Sequence, residues 1–262
     1  MTKSILLARF AAVALVAGLF ATAKPVKADS LSITYYTIAE TDRDANNLAH
    51  GTFSNEVQNN LVGGLPVLNT STYGCLSGCY STVGAPTDVT ASGQITYWSP
   101  SLNNGGAGGT SDVTATLTTT TSIPFSDDSL FPPNGTGSGD GNGFQAAHLF
   151  GTIDALTTEN ISFSIASDDM AFVYIDGSLV CSDGGVHPET VGTCTTLSMV
   201  SAGPHQFDLF FVDINNIASA LDFSITTVGV TTTAATPEPS TFALLGTGLL
   251  GAAGALRRRF IS

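Results

Sequence analysis

The chain has 262 residues and a formal net charge of −13, with 43% hydrophobic residues, 28 glycines and 4 cysteines. Of its 8 basic residues, Lys3, Arg9, Lys24 and Lys27 lie near the start and Arg257, Arg258 and Arg259 near the end; of its 21 acids, Glu238 alone accompanies them. The stretch from Asp29 to Thr236 therefore carries about −19, with Arg43 as its one cation. That charge argues against phosphate backbones and anionic membrane surfaces as partners and leaves cations and neutral polymers.

Residues 1–28 read as a secretory signal peptide. Lys3 and Arg9 accompany the apolar run Phe10 to Ala23, and Val26 and Ala28 hold the small-residue positions of a cleavage site. The run is short for a spanning helix.

From Asp29 onward, short alternating apolar runs are separated by Thr, Ser, Gly and Asn, and no long 3.6-residue period occurs. The expected fold is all-β: one domain over 29–230, an antiparallel β-sandwich or barrel, followed by a linker at 231–236. The expected strands are Leu31 to Tyr36, Gln94 to Trp98, Asp112 to Thr120, His148 to Ile153, Asn160 to Ile165, Ala171 to Ile175, Thr195 to Val200, His205 to Val212 and Leu221 to Thr227. Asp176-Gly177 is a favoured pair for a two-residue hairpin turn with both φ angles positive. Gly203-Pro204 marks a second turn.

Exported chains favour disulfides over zinc sites, so Cys75, Cys79, Cys181 and Cys194 are expected as two bridges. Three connectivities are open, and the local pairs Cys75 with Cys79 and Cys181 with Cys194 are preferred. The glycine-rich stretches Asn103 to Thr110 and Pro133 to Gly143 are expected as surface loops, because neither is followed by the Gly-Lys-Ser/Thr of a phosphate loop.

The acids at Asp168-Asp169 are the sharpest candidate site. Calcium takes six to eight oxygen ligands from carboxylates, amides and carbonyls, and two acids beside an Asn-bearing loop supply such oxygens. Successive strand residues point to opposite faces. Both carboxylates reach one ion only where the backbone leaves strand geometry, for instance through a cis peptide; the alternative is a solvated turn. Asp213, Asn215 and Asn216 form a second acid and amide cluster, expected to meet the pair if their strands flank the same sheet. Asp42, Asp44 and Asn46 start like a calcium loop, but Asn47 and Phe53 stand where an EF-hand needs Gly and Glu. His50, His148, His187 and His205 are scattered, no Gly-x-Ser-x-Gly elbow exists, and each histidine is expected in structural hydrogen bonding.

The tail starts with Pro237, Glu238 and Pro239, continues in an apolar run over 242–256 and ends in three arginines. At about 1.5 Å per residue that run reaches roughly 22 Å, short of a ~30 Å hydrocarbon core, and the arginines place the C-terminus inside. Residues 237–262 resemble the PEP-CTERM sorting signal of Gram-negative bacteria. That resemblance implies processing by an exosortase after anchoring in the inner membrane, with the body delivered to the cell surface or beyond.

A second resemblance rests on "SDDMAFVYIDGSLVCSDGGVH", "LSMVSAGPHQFDLFFVD" and "ALDFSITT". These stretches are similar to the C-terminal half of PA14-type and fibro-slime domains, where Ser-Asp-Asp leads a strand ending in Asp-Gly. The resemblance implies an antiparallel β-sandwich in which Asp168 and Asp169 bind calcium that in turn holds sugar hydroxyls, with Asn215 or Asn216 in a second calcium loop. The expected function is non-catalytic: an exported surface or matrix protein binding extracellular polysaccharide or surface glycan through calcium. The alternatives are a structural matrix or sheath component and a secreted glycoside hydrolase or its accessory module.

Overall fold

The computed structural model describes residues 30–42, 51–52, 55–69, 88–139, 141–214 and 218–235. The signal peptide, Asp44, Asn46, Cys75, Cys79, Asn215, Asn216 and the tail with Pro237, Glu238, Pro239 and the run 242–256 lie outside the described residues.

In chain order the strands are β1 (Ser30–Ile38), β2 (Gly51–Thr52), β3 (Val113–Ser122), β4 (Phe125–Asp127), β5 (Phe144–Ala155), β6 (Glu159–Ile161), β7 (Phe163–Asp168) and β8 (Met170–Ile175). They continue with β9 (Ser178–Asp183), β10 (Gly185–Val186), β11 (Thr190–Val191), β12 (Thr193–Cys194), β13 (Leu197–Val200), β14 (Gly203–Val212), β15 (Ala220–Ile225) and β16 (Val230–Ala234). All named pairs are antiparallel. The large sheet runs β12-β9-β8-β14-β5-β1-β3, with β16 joining β5 beyond the end of β1. The small sheet runs β11-β7-β15-β4. The described residues thus form an all-β antiparallel sandwich, as the alternation of the sequence requires.

Two apolar cores explain the strand sequences. Between the sheets, Leu149, Ile153, Val173, Phe207, Leu209 and Phe211 from the large sheet pack with Ile165, Leu221 and Phe223 from the small one. On the other face of the large sheet, Phe144, Phe172, Tyr174 and Phe210 are covered by Val57, Leu65, Leu68, Ile95, Tyr97 and Trp98. All six residues of β8 are buried because both its faces are covered, which is why "MAFVYI" reads as an unbroken apolar run. Each fully buried Phe or Leu contributes roughly 1.5–3 kcal/mol of transfer free energy.

The hairpin is as expected: Asp176 and Gly177 have φ of 50° and 74° and join β8 to β9. Cys181 and Cys194 form a disulfide between β9 and β12.

Three expected strands need correction. Gln94 to Trp98 makes only isolated bridges, Val67 with Gln94 and Val89 with Ile95. Its apolar residues cover the large sheet: Trp98 packs 5.1 Å edge-on to Phe210 and donates its indole N–H to the Phe211 carbonyl at 2.8 Å. Burial, not ladder pairing, set that apolar pattern. The Asn160 to Ile165 run breaks at Ser162, whose N–H is donated to the Thr227 hydroxyl, so that β6 pairs with β13 and β7 joins the small sheet. Thr195 and Thr196 precede the last strand of that pair, which begins at Leu197. Residues 231–234 fall within β16, so the sandwich runs past residue 230 into the expected linker.

Candidate carboxylate site

Asp168 closes β7 in the small sheet, and Met170 opens β8 in the large one. The chain therefore crosses between the sheets at Asp168-Asp169. A second crossing runs beside it. β14 leaves the large sheet with Val212 opposite Met170, and β15 enters the small sheet with Ala220 opposite Asp168. Ile214, directly after Asp213, donates its backbone N–H to Asp169, so the start of this crossing reaches the aspartate pair.

The Asp168–Asp169 peptide is cis. Both side chains are buried, Asp169 to 1% exposure. Asp169 is held from two directions: one carboxylate oxygen accepts the His187 backbone N–H and the other the Ile214 N–H, each at 3.0 Å. Burial is the main force pushing the Asp169 carboxyl up to about 7, reinforced by the charge of Asp168 and opposed by these two amides. Asp168 is also raised, again chiefly by burial. A turn aspartate in water has no such environment.

Around the pair, the loop from Asp183 to Thr190 folds back on the crossing. Asp183 accepts from the Ser167 hydroxyl at 2.9 Å and lies 3.4 Å from His187 Nε2. Burial raises the Asp183 carboxyl, with His187 and Ser167 acting against it. His187 Nδ1 is 3.0 Å from the Pro188 carbonyl, a contact that requires a proton on Nδ1 because the carbonyl only accepts. Gly185 is anchored through its N–H to Glu56 Oε2 at 2.7 Å. Beside these groups opens a cleft of about 250 Å³ lined by Thr52, Ser182, Asp183, Gly184, Thr190 and Gly192.

Sequence reasoning missed Asp183 and His187 beside the pair, and Glu56 as the anchor of their loop. Asp183 lies in the quoted "CSDGGVH" stretch, and its signal was a polar residue at the end of an apolar strand. Glu56 gave no signal at all, because it arrives from a segment over one hundred residues away.

The other candidates are placed elsewhere. Asp42, the first acid of the loop that begins like a calcium site, packs with Asp88 and Asp112 so that one carboxylate oxygen from each lies within 4.8 Å of the others. Asn103 spans this cluster, donating to Asp88 and accepting the Asp112 N–H. His148 pairs with Asp208 at 2.9 Å and stacks 4.3 Å from Phe210, while His205 pairs with Asp176 at 2.7 Å.

Residues 235–259 match the family model of the PEP-CTERM protein-sorting motif. Such a motif fits an exported surface protein, held at the membrane through its C-terminus before exosortase processing. No curated protein matches the sequence. In structure the chain is similar to the PA14 sugar-binding domain from an RTX adhesin, at 17% identity and TM-score 0.29 over 34% of this chain and 50% of that one. It is also similar to the GH31 alpha-xylosidase of Xanthomonas citri, at 20% identity and TM-score 0.32 over 42% of this chain and 12% of that one. A third likeness is to the Epithelial Adhesin 6 A domain of Candida glabrata, solved with Galb1-3GlcNAc, at 11% identity and TM-score 0.37 over 80% of this chain and 89% of that one. The match thus spans half the length of the first structure and far less of the second. A PA14 domain stands among these similar structures.

Proposed function

We propose that this exported surface protein binds extracellular glycan, without turnover, at the end of the sandwich where its two sheet crossings meet, and that Asp168 and Asp169 hold a calcium ion there. The observation that carries this reading is the buried pair of adjacent carboxylates, of which Asp169 accepts two backbone amides. Two adjacent carboxylates cannot both ionise cheaply out of water. A divalent cation between them removes that conflict.

The donor set fits the ion. Carboxylate oxygens suit a hard cation, and Asp169 is already oriented by the amides of His187 and Ile214. Asp213, next to Ile214, brings another carboxylate to this end, and Asn215 and Asn216 follow it in sequence. When bound, calcium offers open coordination positions to vicinal sugar hydroxyls. The polar cleft beside Asp183 and Thr190 has room for part of a saccharide, and its Asp183 is hydrogen-bonded to Ser167, the residue before the pair.

Calorimetry of the full chain with calcium tests the metal site. Binding by the parent and its loss in the Asp168→Ala, Asp169→Ala variant is the expected result; equal binding by both removes the site. Retention on exopolysaccharide, with and without chelator, then tests the ligand. Glycan binding that chelation abolishes supports the whole proposal, whereas calcium binding with no glycan retained reduces the ion to a stiffener of the crossing loops.

A further inference from the structure

Natural sheets blunt their edges, since an exposed row of unpaired N–H and C=O groups invites another strand. Among the described residues most edge strands of the two main sheets are short, including the five-residue β16 beside β5. The large sheet ends on one side at β12, two residues long and tied by the disulfide. The small sheet ends at β11, two residues long, and at β4, three residues long. One edge is different.

β3 has ten residues, "VTATLTTTTS", and bounds the large sheet beyond β1. Among the described residues no strand pairs with its outer edge. Its residues from Thr114 to Thr120 are exposed, including Leu117 at 44%. The strand contains no Lys, no Pro and no charge, the usual deterrents to edge pairing. Its one irregularity lies where Tyr35 and Tyr36 pass Leu117 and Ala115, so that the half from Leu117 to Ser122 is a regular ladder.

We infer that β3 is a self-association edge, pairing antiparallel with β3 of a second copy across a two-fold axis. The occupant follows from charge. In a body of about −19, the stretch from Val113 to Ser126 carries no ionisable side chain, so two copies can approach there without like charges face to face. A two-fold antiparallel pair sets a patch against itself, and a strand dominated by threonine is its own suitable partner. Threonines already pair across this ladder, with Thr34 and Thr118 hydroxyls 2.9 Å apart, and such cross-strand pairs are favourable. A ten-residue pairing would add about ten backbone hydrogen bonds. The sorting tail, by tethering copies to one surface, raises their effective concentration, so even weak edge pairing is populated there.

Sedimentation velocity of the full chain in mild detergent tests the inference. The parent is expected at twice the mass of one chain, and the Leu117→Glu, Thr119→Glu variant at the mass of one. A control, Leu156→Glu with Val228→Glu, changes residues exposed by 68% and 93% outside β3 and should leave the dimer intact. A monomeric parent, a dimeric β3 variant or a monomeric control overturns the proposal. Should the β3 variant fail to fold, Thr119→Cys replaces it: a disulfide-linked dimer forming with Thr119→Cys and not with Val228→Cys supports the edge, and equal linking or none refutes it.

Discussion

Asp168 and Asp169 lie buried on either side of a cis peptide at the point where the chain leaves one sheet of the sandwich for the other. A carboxyl pair of this kind holds a proton that isolated aspartates would have released, and that proton links the site to stability.

In the unfolded chain an aspartate titrates near ~3.9, whereas folded Asp169 is pushed up to about 7, mainly by burial. The folded state therefore binds the proton more tightly. Its contribution to stability is full below about pH 4 and is lost as pH rises from there through about 7, and the raised Asp168 and Asp183 act in the same direction. In metal-free buffer, Asp168→Asn should lower the Asp169 midpoint by removing a neighbouring charge, yet leave it above the ordinary range because burial remains. Carboxyl carbon NMR titration reads this directly, and an unmoved midpoint would contradict the coupling.

The Cys181–Cys194 bridge closes a loop of sequence separation 13 that carries the site's Asp183 and His187. Cross-links of that span stabilise by about 3 kcal/mol in the chain-entropy account. Cys181→Ser with Cys194→Ser should lose roughly that amount in denaturant titration, with a lower Tm. A loss below about 1 kcal/mol would mean that the strands β9 and β12 hold the loop without it.

Gly192 is packed where a side chain does not fit. A methyl group there would lie 2.7 Å from Asp183 Cβ, 2.9 Å from Ile165 Cγ2 and 3.0 Å from the Ser182 carbonyl oxygen. Gly192→Ala should cost about 1–3 kcal/mol as overpacking and displace Asp183 from Ser167. Unfolding curves give the first effect, and the amide shifts of Asp183 and Ser167 give the second; parent-like values in both would show that the loop yields freely.

Trp98 is the chain's one tryptophan, so its fluorescence reports on the cover over the large sheet. Trp98→Phe should cost about 1–3 kcal/mol for the Phe211 carbonyl that loses its indole donor, and Trp98→Ala about 3–5 kcal/mol with the cavity included. Chemical denaturation followed by circular dichroism separates the two. Equal losses would assign the whole effect to the hydrogen bond.

The β-class, the Asp-Gly hairpin and the Cys181–Cys194 pairing were legible in the sequence because each depends on neighbours a few residues apart or on a pattern of period two. The Asp168-Asp169 motif was legible as a candidate for a similar reason: two acids in succession interrupt an otherwise apolar alternation. The misassigned strand at Gln94 to Trp98 shows the limit, since an apolar segment lying across a sheet and one hydrogen-bonded within it place the same demand on residue type.

What the sequence by itself determined is local: alternation, turn chemistry, the acidic body and the basic tail. Only the tertiary structure decided that Asp169 receives amides from His187 and Ile214, that Glu56 anchors the loop over the site, and that the ten-residue β3 has, among the described residues, no strand on its outer edge. Those relationships depend on which strands become neighbours. Strand order is set by the summed burial of two cores, a property of the whole chain that no short stretch encodes.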